Sequence, residues 1–574
     1  MPWGSARDST RSTSPVCLPI RPEAVAFGEL IVRGRIATLA GERGLGWVEA
    51  VAITGGRIVA AGSRDEIDAL VGPRTRQLEL SPDEAALPGL TDAHLHLAEG
   101  GLSAERIDLT ASRSIDEALE EVRRAHTTLP PGAWLEGHGW DADRLGGWPT
   151  AASLDSVAPG RRTAIWAHDH HALWVSPAAL EAGGINELTS DPEGGLIRRD
   201  AAGRPTGVLH ETASRLMTGV VPPPAMDAAE RAVVALARGL VALGVVAVHD
   251  PGALSMQTGL GPIFAGYRRL SDRGELPVRV HVSVREEQLD AAIEAGLRSG
   301  DPLGDPRGRA RMGWLKLFAD GTLASRTAAL LQPIEPEPGA PLPPGTERGM
   351  FTTSPERLAE LAGEAADAGI ACQIHAIGDR AVRAALDALG PTRARASLVP
   401  RVEHVQLVDP ADVPRFRAGG VAASVQPIHL RTDAAAARRL WGSRAEAFGY
   451  AWGALARAGA QLAFGTDAPV EPIDPWPGLA MAVTRRDASW GTDAPMFGSS
   501  QALSLDQSLR AACIGPAVLA AERDRGRLVA GQRADLVVIP RAALDEPVEP
   551  GGALATARPR LVVMDGEVAF EARA

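Results

Sequence analysis

The sequence contains a single lysine. Lys316 stands among 59 lysine and arginine residues in a chain of 574 residues, so arginine supplies nearly all of the positive charge. This lysine lies in the apolar stretch GWLKLFAD, where burial of a cation would be costly. A position that keeps lysine in an arginine-rich chain indicates a role that needs an amine.

Cysteine, basic charge and long apolar runs are also scarce. Three cysteines, Cys17, Cys372 and Cys513, form no CxxC pair, which argues against a disulfide framework and favours a reducing, cytoplasmic location. The net charge of −12 argues against nucleic acid or an anionic membrane as the main partner, because both require a basic surface. No uncharged apolar run reaches about 18 residues, so we expect no membrane span. The first residues lack the apolar core of a signal peptide.

Both ends of the chain have a β-rich texture. Residues 1–25, rich in Ser, Arg and Pro, are predicted to be a disordered leader. Short β-like runs separated by glycine turns fill residues 26–88 and recur in residues 517–574. We expect the two ends to pair as one composite β-sandwich.

The middle of the chain, residues 89–516, alternates short apolar runs with alanine-rich amphipathic stretches, which is typical of βα units. Eight runs qualify as inner strands and predict an α/β fold, a (β/α)₈ TIM barrel. They are residues 86–97, 245–250, 277–284, 313–320, 369–376, 401–407, 421–427 and 461–469. The gap between the first two runs is too long for one crossover helix, so residues 103–215 are predicted to be an insertion after strand 1.

A pair of histidines and several single ionisable residues on these apolar runs indicate a metal site. His94 and His96, in TDAHLHL, are two residues apart, so on a strand both imidazoles leave the same face and can reach one metal ion. A hydrogen-bonded pair of core histidines is the alternative. Further ionisable residues lie at or near the ends of other predicted strands, where barrel enzymes place their chemistry. They are Lys316 on the fourth run, His375 on the fifth, His404 on the sixth and Asp467 on the eighth.

The lone lysine has a chemical explanation at such a site. Burial lowers the pKa of a lysine and exposes a free amine, which can add carbon dioxide to form a carbamate. The two carbamate oxygens can bridge two metal ions, whereas the guanidinium of arginine stays protonated and cannot react in this way. A lysine retained by chance, or one paired with Asp320, remains the alternative.

These residues, in this order, resemble the amidohydrolase superfamily of metal-dependent hydrolases. Several stretches are similar to its branch called amidohydrolase family 3, which includes YtcJ-like proteins and N-substituted formamide deformylases. They include LPGLTDAHLHL, GHGWDADR, KLFADGTLASRTA, QIHAIGDRAV, RVEHVQL and FGTDAPVEPIDPW. The resemblance extends over residues 30–566, and in that family the composite sandwich is standard.

The resemblance implies a ligand set and a mechanism. His94, His96 and Asp467 would hold one divalent metal ion, most naturally Zn²⁺. Lys316 as its carbamate, His375 and His404 would hold a second, although some relatives use one ion only. Asp467 is also the implied proton carrier between the attacking water and the leaving nitrogen.

Four further residues are candidate substrate contacts. His171 lies in WAHDHHALW, Trp140 in GHGWDADR, Asp320 directly after the run that bears the lysine, and His429 just past the seventh run. The alternative for each is a structural role within the insertion or beside the metal ligands.

The expected function is hydrolysis of a C–N bond other than a peptide bond, of the N-acyl or N-formyl amide type. A deaminase or an ester or lactone hydrolase could use the same ligands, because barrel sites change substrate through their loops. A catalytically inactive binding scaffold is a third alternative, although all six ligand positions are present. The expected partner is a small-molecule substrate, with a homodimer as the assembly.

Overall fold

A computed structural model describes residues 27–223, 225–252, 260–335, 346–491 and 493–573. The predicted leader, residues 1–25, and Cys17 lie outside the described residues. Eight of the described strands pair in parallel and in chain order, which confirms the predicted α/β barrel. We label them β1 (Leu90–Asp92), β2 (Val245–Asp250), β3 (Arg279–Arg285), β4 (Ala310–Phe318), β5 (Cys372–Ala376), β6 (Arg401–His404), β7 (Ala422–Val425) and β8 (Leu462–Phe464).

Helices surround the barrel between successive strands. Leu97–Ser103 and Met226–Ala242 lie between β1 and β2, and Gly261–Asp272 follows β2. The remaining barrel helices are Leu289–Glu294, Pro355–Asp367, Asp379–Leu389, Val413–Gly419, Leu430–Trp441, Ser443–Phe448, Trp452–Arg457, Pro475–Thr484 and Leu505–Leu519. None of the helices in the described ranges is long and apolar enough to cross a membrane.

Local sequence explains these elements. β2 reads VVAVHD and is buried along its whole length, as expected for a parallel strand covered on both faces. The helix Pro355–Asp367 begins with a Ser354 side chain that accepts the N–H of Arg357, and proline occupies its first turn. Its buried positions fall on one face, which packs on the barrel.

The predicted first run, residues 86–97, is divided in the structure. Glu84–Pro88 belongs to a terminal sheet and β1 to the barrel, and the chain crosses between them at Gly89. A Cβ at Gly89 would lie 2.7 Å from the side chain of Val246, so the crossing requires glycine. His94 and His96 therefore follow β1 instead of lying on it.

Two further sheets flank the barrel. The predicted pairing of the chain ends is confirmed, because Leu536–Pro540 runs antiparallel to Glu84–Pro88 in one eight-stranded sheet. Its other strands are Leu30–Ala37, Trp47–Thr54, Arg57–Gly62, Arg76–Glu79, Leu561–Met564 and Glu567–Glu571, and short helices Arg64–Asp68 and Ala542–Asp545 accompany it.

The large insertion after strand 1 is confirmed and carries a six-stranded sheet of its own. Its strands are Ile107–Asp108, Leu135–Trp140, Thr163–Ala167, Ala172–Val175, Gly195–Arg199 and Pro205–Glu211. Its helices are Ile115–Thr128, Ala142–Leu145, Ala151–Val157 and Pro177–Ala182. The sheet lies beside the mouth of the barrel, so the insertion forms one wall of the cavity described below.

Candidate metal centre

A cavity of about 440 Å³ opens at the carboxyl ends of the barrel strands. All six sequence-predicted metal ligands line it: His94, His96, Lys316, His375, His404 and Asp467. The barrel closes next to this cavity, where Ala93 N donates to Phe464 O at 2.9 Å and Asp467 N donates to His94 O at 2.7 Å. Residues far apart in the chain are thereby fixed against one another at the site.

The side chains after β1 and β8 meet. His94 Nε2 lies 3.3 Å from Asp467 Oδ1, and His96 Nε2 lies 3.6 Å from the same oxygen. One donor atom each from His94, His404 and Asp467 lies within 4.8 Å of the others. Imidazole nitrogens and a carboxylate oxygen at this spacing are the donor set that Zn²⁺ and similar divalent ions take in proteins.

The opposite ring nitrogens of His94 and His96 are held by buried acceptors. His94 Nδ1 donates to Glu403 Oε2 at 2.7 Å, and His96 Nδ1 donates to Gly252 O at 3.0 Å. These hydrogen bonds place a proton on Nδ1 of each ring and direct Nε2 of each ring at Asp467. Burial alone would lower the pKa of His94, but the negative charges of Glu403 and Asp467 raise it above its ordinary value. Metal-binding histidines in proteins almost always have such a partner on the second nitrogen, so the arrangement fits a metal ion.

His404 is oriented in the same way. Its Nδ1 donates to Gln426 Oε1 at 2.8 Å. His404 and Val405 have φ values of 71° and 47°, so the chain leaves the regular strand at this point. This turn lets the adjacent side chains of Glu403 and His404 both face the site, although successive residues of a strand normally face opposite sides.

Burial keeps most of these histidines neutral. It lowers the pKa values of His96, His375 and His404 well below the ordinary value, so each ring offers a lone pair at neutral pH. Burial would raise the pKa of the Asp467 carboxyl, but the nearby His94 and a hydrogen bond from His429 hold it well below its ordinary value. The carboxylate is therefore ionised at neutral pH.

Lys316 and His375 occupy the other side of the centre. The His375 and His404 ring centroids are 4.6 Å apart, and those of His94 and His404 are 5.0 Å apart. Lys316 Nζ lies 4.8 Å from the centroid of the Phe318 ring. Burial lowers the pKa of Lys316 to about 7, so a large fraction of the side chain is a free amine near neutral pH.

Comparison with known proteins agrees with this geometry. A sequence profile described as Amidohydrolase family matches residues 83–570. The chain belongs to the amidohydrolase family.

Individual relatives of this amidohydrolase cover most of its length. The Bacillus subtilis protein YtcJ is 30% identical over 495 residues, which is 86% of this chain and 90% of the relative. The N-substituted formamide deformylase of Arthrobacter pascens is 27% identical over 516 residues, 87% of this chain and 91% of that protein. A crystal structure of an uncharacterized metal-dependent hydrolase from Pyrococcus horikoshii superposes with a TM-score of 0.68 at 26% identity, covering 89% of this chain and 97% of that one. These similarities establish a hydrolase of the metal-dependent amidohydrolase superfamily.

Two of the four predicted substrate contacts of this amidohydrolase line the cavity. His429 Nε2 donates to Asp467 Oδ2 at 3.1 Å, whereas His94 and His96 face the other carboxylate oxygen, Oδ1. The His171 ring lies 4.8 Å from that of His375, and its Nδ1 donates to Glu211 Oε2 at 2.6 Å. His171 thus brings the insertion into contact with the metal centre.

The structure does not bring the other two to the cavity wall, as far as the described residues show. Trp140 is buried in the insertion, where its Nε1 donates to Ile165 O at 2.8 Å. Asp320 accepts the backbone N–H groups of Ile377, Gly378 and Ala329 at 2.8–3.0 Å. Neither residue lines the cavity. Trp140 packs inside the insertion, whereas Asp320 Oδ1 also lies 3.6 Å from His375 Nε2 and so supports that histidine from behind.

Sequence reasoning missed the partners that orient the histidines. Glu403 is fully buried, and its Oε1 lies 2.7 Å from Arg401 Nε. Burial would raise the pKa of Glu403, but the charges of Arg401 and His94 hold it below its ordinary value. The sequence signal was a carboxylate directly before His404 on an apolar strand. Gln426 at the end of β7 carries no comparable signal.

Proposed function

We propose that this amidohydrolase cleaves a C–N bond other than a peptide bond, in a small N-acyl or N-formyl amide. His94, His96 and Asp467 would hold one divalent ion, with Zn²⁺ the best match to the nitrogen and oxygen donors. Lys316 as a carbamate, His375 and His404 would hold a second. The similarity to the N-substituted formamide deformylase of Arthrobacter pascens supports the choice of amide bond.

One observation carries this proposal. The Nε2 atoms of His94 and His96 converge on Asp467 at 3.3 and 3.6 Å, while their Nδ1 atoms are tied to Glu403 and to the carbonyl of Gly252. Two imidazoles that each use Nδ1 on a buried acceptor and direct Nε2 at one carboxylate oxygen have the arrangement typical of metal-binding histidines. The convergence supports a cation between them.

With a bound ion, Asp467 and His429 would have distinct roles in hydrolysis. A divalent ion at this position supplies a water of lowered pKa and polarises the carbonyl oxygen of the substrate. Asp467, ionised at neutral pH, accepts the proton of the attacking water and delivers it to the leaving nitrogen. His429 donates to Asp467 Oδ2 and keeps that carboxylate oriented during the transfer.

Lys316 suits the carbamate role. Its pKa of about 7 exposes the amine that carbon dioxide requires. In carbamate formation the amine nitrogen of Lys316 bonds to the carbon of carbon dioxide, and one proton is released to water. Reconstitution with metal and bicarbonate should therefore raise the intact mass by one carbon dioxide, more completely at pH 8 than at pH 6.

A substrate panel tests the proposal. The metal-loaded enzyme is assayed with N-formyl and N-acyl amines, with the matching esters and lactones, and with amino-substituted heteroaromatic rings. We expect release of amine and carboxylic acid from the amides at the highest kcat/KM. Higher kcat/KM on esters or on ring amines would assign the enzyme to one of the alternative reactions, and no turnover of any member would contradict the proposal.

A further inference from the structure

One wall of the cavity is cationic. Arg285 is the last residue of β3 and lies beside Lys316 in the parallel pairing of β3 with β4. The Arg285 Cζ lies 4.3 Å from the centroid of the Phe318 ring, which Lys316 Nζ also approaches. All three side chains line the cavity, so the guanidinium lies beside the metal centre.

Apart from the Phe318 ring, the Arg285 guanidinium has no hydrogen-bond or ion-pair partner among the residues that the structure describes. Its Nη1 is buried and makes no hydrogen bond, and no ion pair joins the side chain to any residue that the structure describes. The two carboxylates that follow Arg285 in the chain pair with other arginines: Glu286 Oε1 lies 3.5 Å from Arg357 Nη2, and Glu287 Oε1 lies 2.9 Å from Arg215 Nη1. Burial lowers the pKa of Arg285 to about 10, so the group remains charged at neutral pH.

The buried arginines of the described residues each donate to at least one protein acceptor. Arg485 donates to the carbonyl oxygens of Phe497 and Tyr450 at 2.8 and 3.0 Å. Arg279 is paired with Asp535, with Nη1 donating to Oδ2 at 2.9 Å. Arg285 is half-buried at the cavity wall and its buried Nη1 has no such partner, so the contrast indicates that the guanidinium serves a ligand.

We propose that Arg285 binds a carboxylate of the substrate, which makes anionic amides the substrate class of this enzyme. This inference rests on the proposed function for the reaction itself. A planar guanidinium can form two parallel hydrogen bonds with a carboxylate, and the Phe318 ring, with its centroid 4.3 Å from Arg285 Cζ, limits the positions open to the guanidinium. Apolar residues of the same cavity, Leu323, Ile377 and Val470, provide room for an aliphatic or aromatic substituent.

Equilibrium binding tests the carboxylate site without turnover. Hexanoate and hexan-1-ol, which differ in the charged group and cannot be hydrolysed, are titrated into the metal-loaded enzyme by calorimetry. Arg285→Met should weaken hexanoate binding about 10- to 100-fold and change hexanol binding less than about 2-fold. Arg285→Lys should give an intermediate loss of hexanoate affinity, because lysine keeps the positive charge but cannot form two parallel hydrogen bonds with the carboxylate.

Arg215→Met is the matched control. It removes a guanidinium from the same cavity, but one already paired with Glu287, so hexanoate affinity should fall less than about 3-fold. Unchanged hexanoate affinity in Arg285→Met would show that the carboxylate is held elsewhere, the metal ion included, and would overturn the proposal.

Values of kcat/KM and the intact mass distinguish carboxylate binding by Arg285 from two other outcomes, failure of the proposed reaction and a supporting role of Arg285 for Lys316. The ratio of kcat/KM for N-formyl-leucine to that for N-formyl-leucinamide should be high in the wild type and near unity in Arg285→Met. If neither compound is hydrolysed, the proposed reaction fails while the calorimetry still decides the role of Arg285. If Arg285→Met loses metal or the mass of carbon dioxide and slows both substrates equally, Arg285 supports Lys316 and the inference is wrong.

Discussion

The barrel and the insertion both contain histidines, tryptophans and acids, yet they use them differently. In the barrel, His94, His96 and Asp467 converge on one point, and buried acceptors fix each imidazole. In the insertion, Trp140 packs against Trp148 and Trp174 with ring centroids 6.2 and 6.3 Å apart. Histidines and a carboxylate thus form a buried polar cluster in the barrel, whereas tryptophans form an apolar core in the insertion.

The contacts between the two regions explain how they cooperate. Asp169 of the insertion accepts the hydroxyl groups of Thr322 and Ser325, at 2.5 and 2.7 Å, in the loop after β4. Glu211 accepts Thr327 Oγ1 at 2.6 Å in the same loop. The insertion is therefore attached to the loop that follows Lys316, and it shapes access to a centre that the barrel builds alone.

The largest effect should come from the barrel carboxylate. Asp467→Asn removes the proton carrier and a charged ligand, and kcat/KM should fall by at least about 10²- to 10⁴-fold. Steady-state kinetics on the preferred amide measure it. Asp116→Asn, at an exposed position of the insertion helix Ile115–Thr128, should leave kcat/KM unchanged. Equal losses in both variants would remove the distinction between the regions.

A smaller effect is expected from a residue that acts through His94. Glu403→Gln weakens the acceptor that fixes the His94 tautomer, and metal affinity should fall by about 10- to 100-fold. Competition with a chelator of known affinity measures the change. Glu294→Gln, exposed at the end of the helix Leu289–Glu294, is the control. Unchanged metal affinity in Glu403→Gln would mean that His94 is not a ligand.

The attachment of the insertion should affect substrate binding more than metal binding. Asp169→Ala removes two hydrogen bonds to the loop after β4, each worth about 0.5–1.5 kcal/mol. We expect KM to rise by up to about 10-fold at constant metal content. Metal loss in this variant would show that the insertion helps to build the centre itself.

The smallest effect on activity should come from the core of the insertion. Trp140→Phe deletes the hydrogen bond to Ile165 O and leaves a void, so the free energy of unfolding should fall by about 1–3 kcal/mol. Metal content and kcat/KM should match the wild type. Denaturant unfolding and the amide assay check both, and a selective loss of activity would restore Trp140 as a substrate contact.

The sequence could predict the barrel and the six residues that line its cavity because both depend on local pattern. Apolar runs mark the strands, and a charged residue at the end of such a run, as with Lys316, has few explanations in packing. The hydrogen-bond partners could not be predicted in this way. Glu403 reaches His94 across 309 positions, through strand register and a turn at His404 that no local pattern reveals.

Side-chain direction, for Trp140 in the insertion and for Asp320 after β4, also could not be predicted from the sequence. Trp140 lies in a motif that resembles the family, yet its ring faces the core of the insertion because the strand Leu135–Trp140 presents it to Trp148 and Trp174. Asp320 follows the strand of Lys316, but three backbone N–H groups occupy its carboxylate. Side-chain direction at the ends of elements depends on tertiary contacts.

The number of metal ions bound per chain tests most directly whether His94, His96 and Asp467 hold a cation. Purified enzyme is dialysed against metal-free buffer and analysed by inductively coupled plasma mass spectrometry, beside a His94→Asn/His96→Asn variant whose circular dichroism matches the wild type. We predict one or two tightly held divalent ions per wild-type chain and a clear loss in the variant. Hydrolysis by a metal-free wild type, or equal metal content in a folded double variant, would contradict a cation held where these imidazoles meet Asp467.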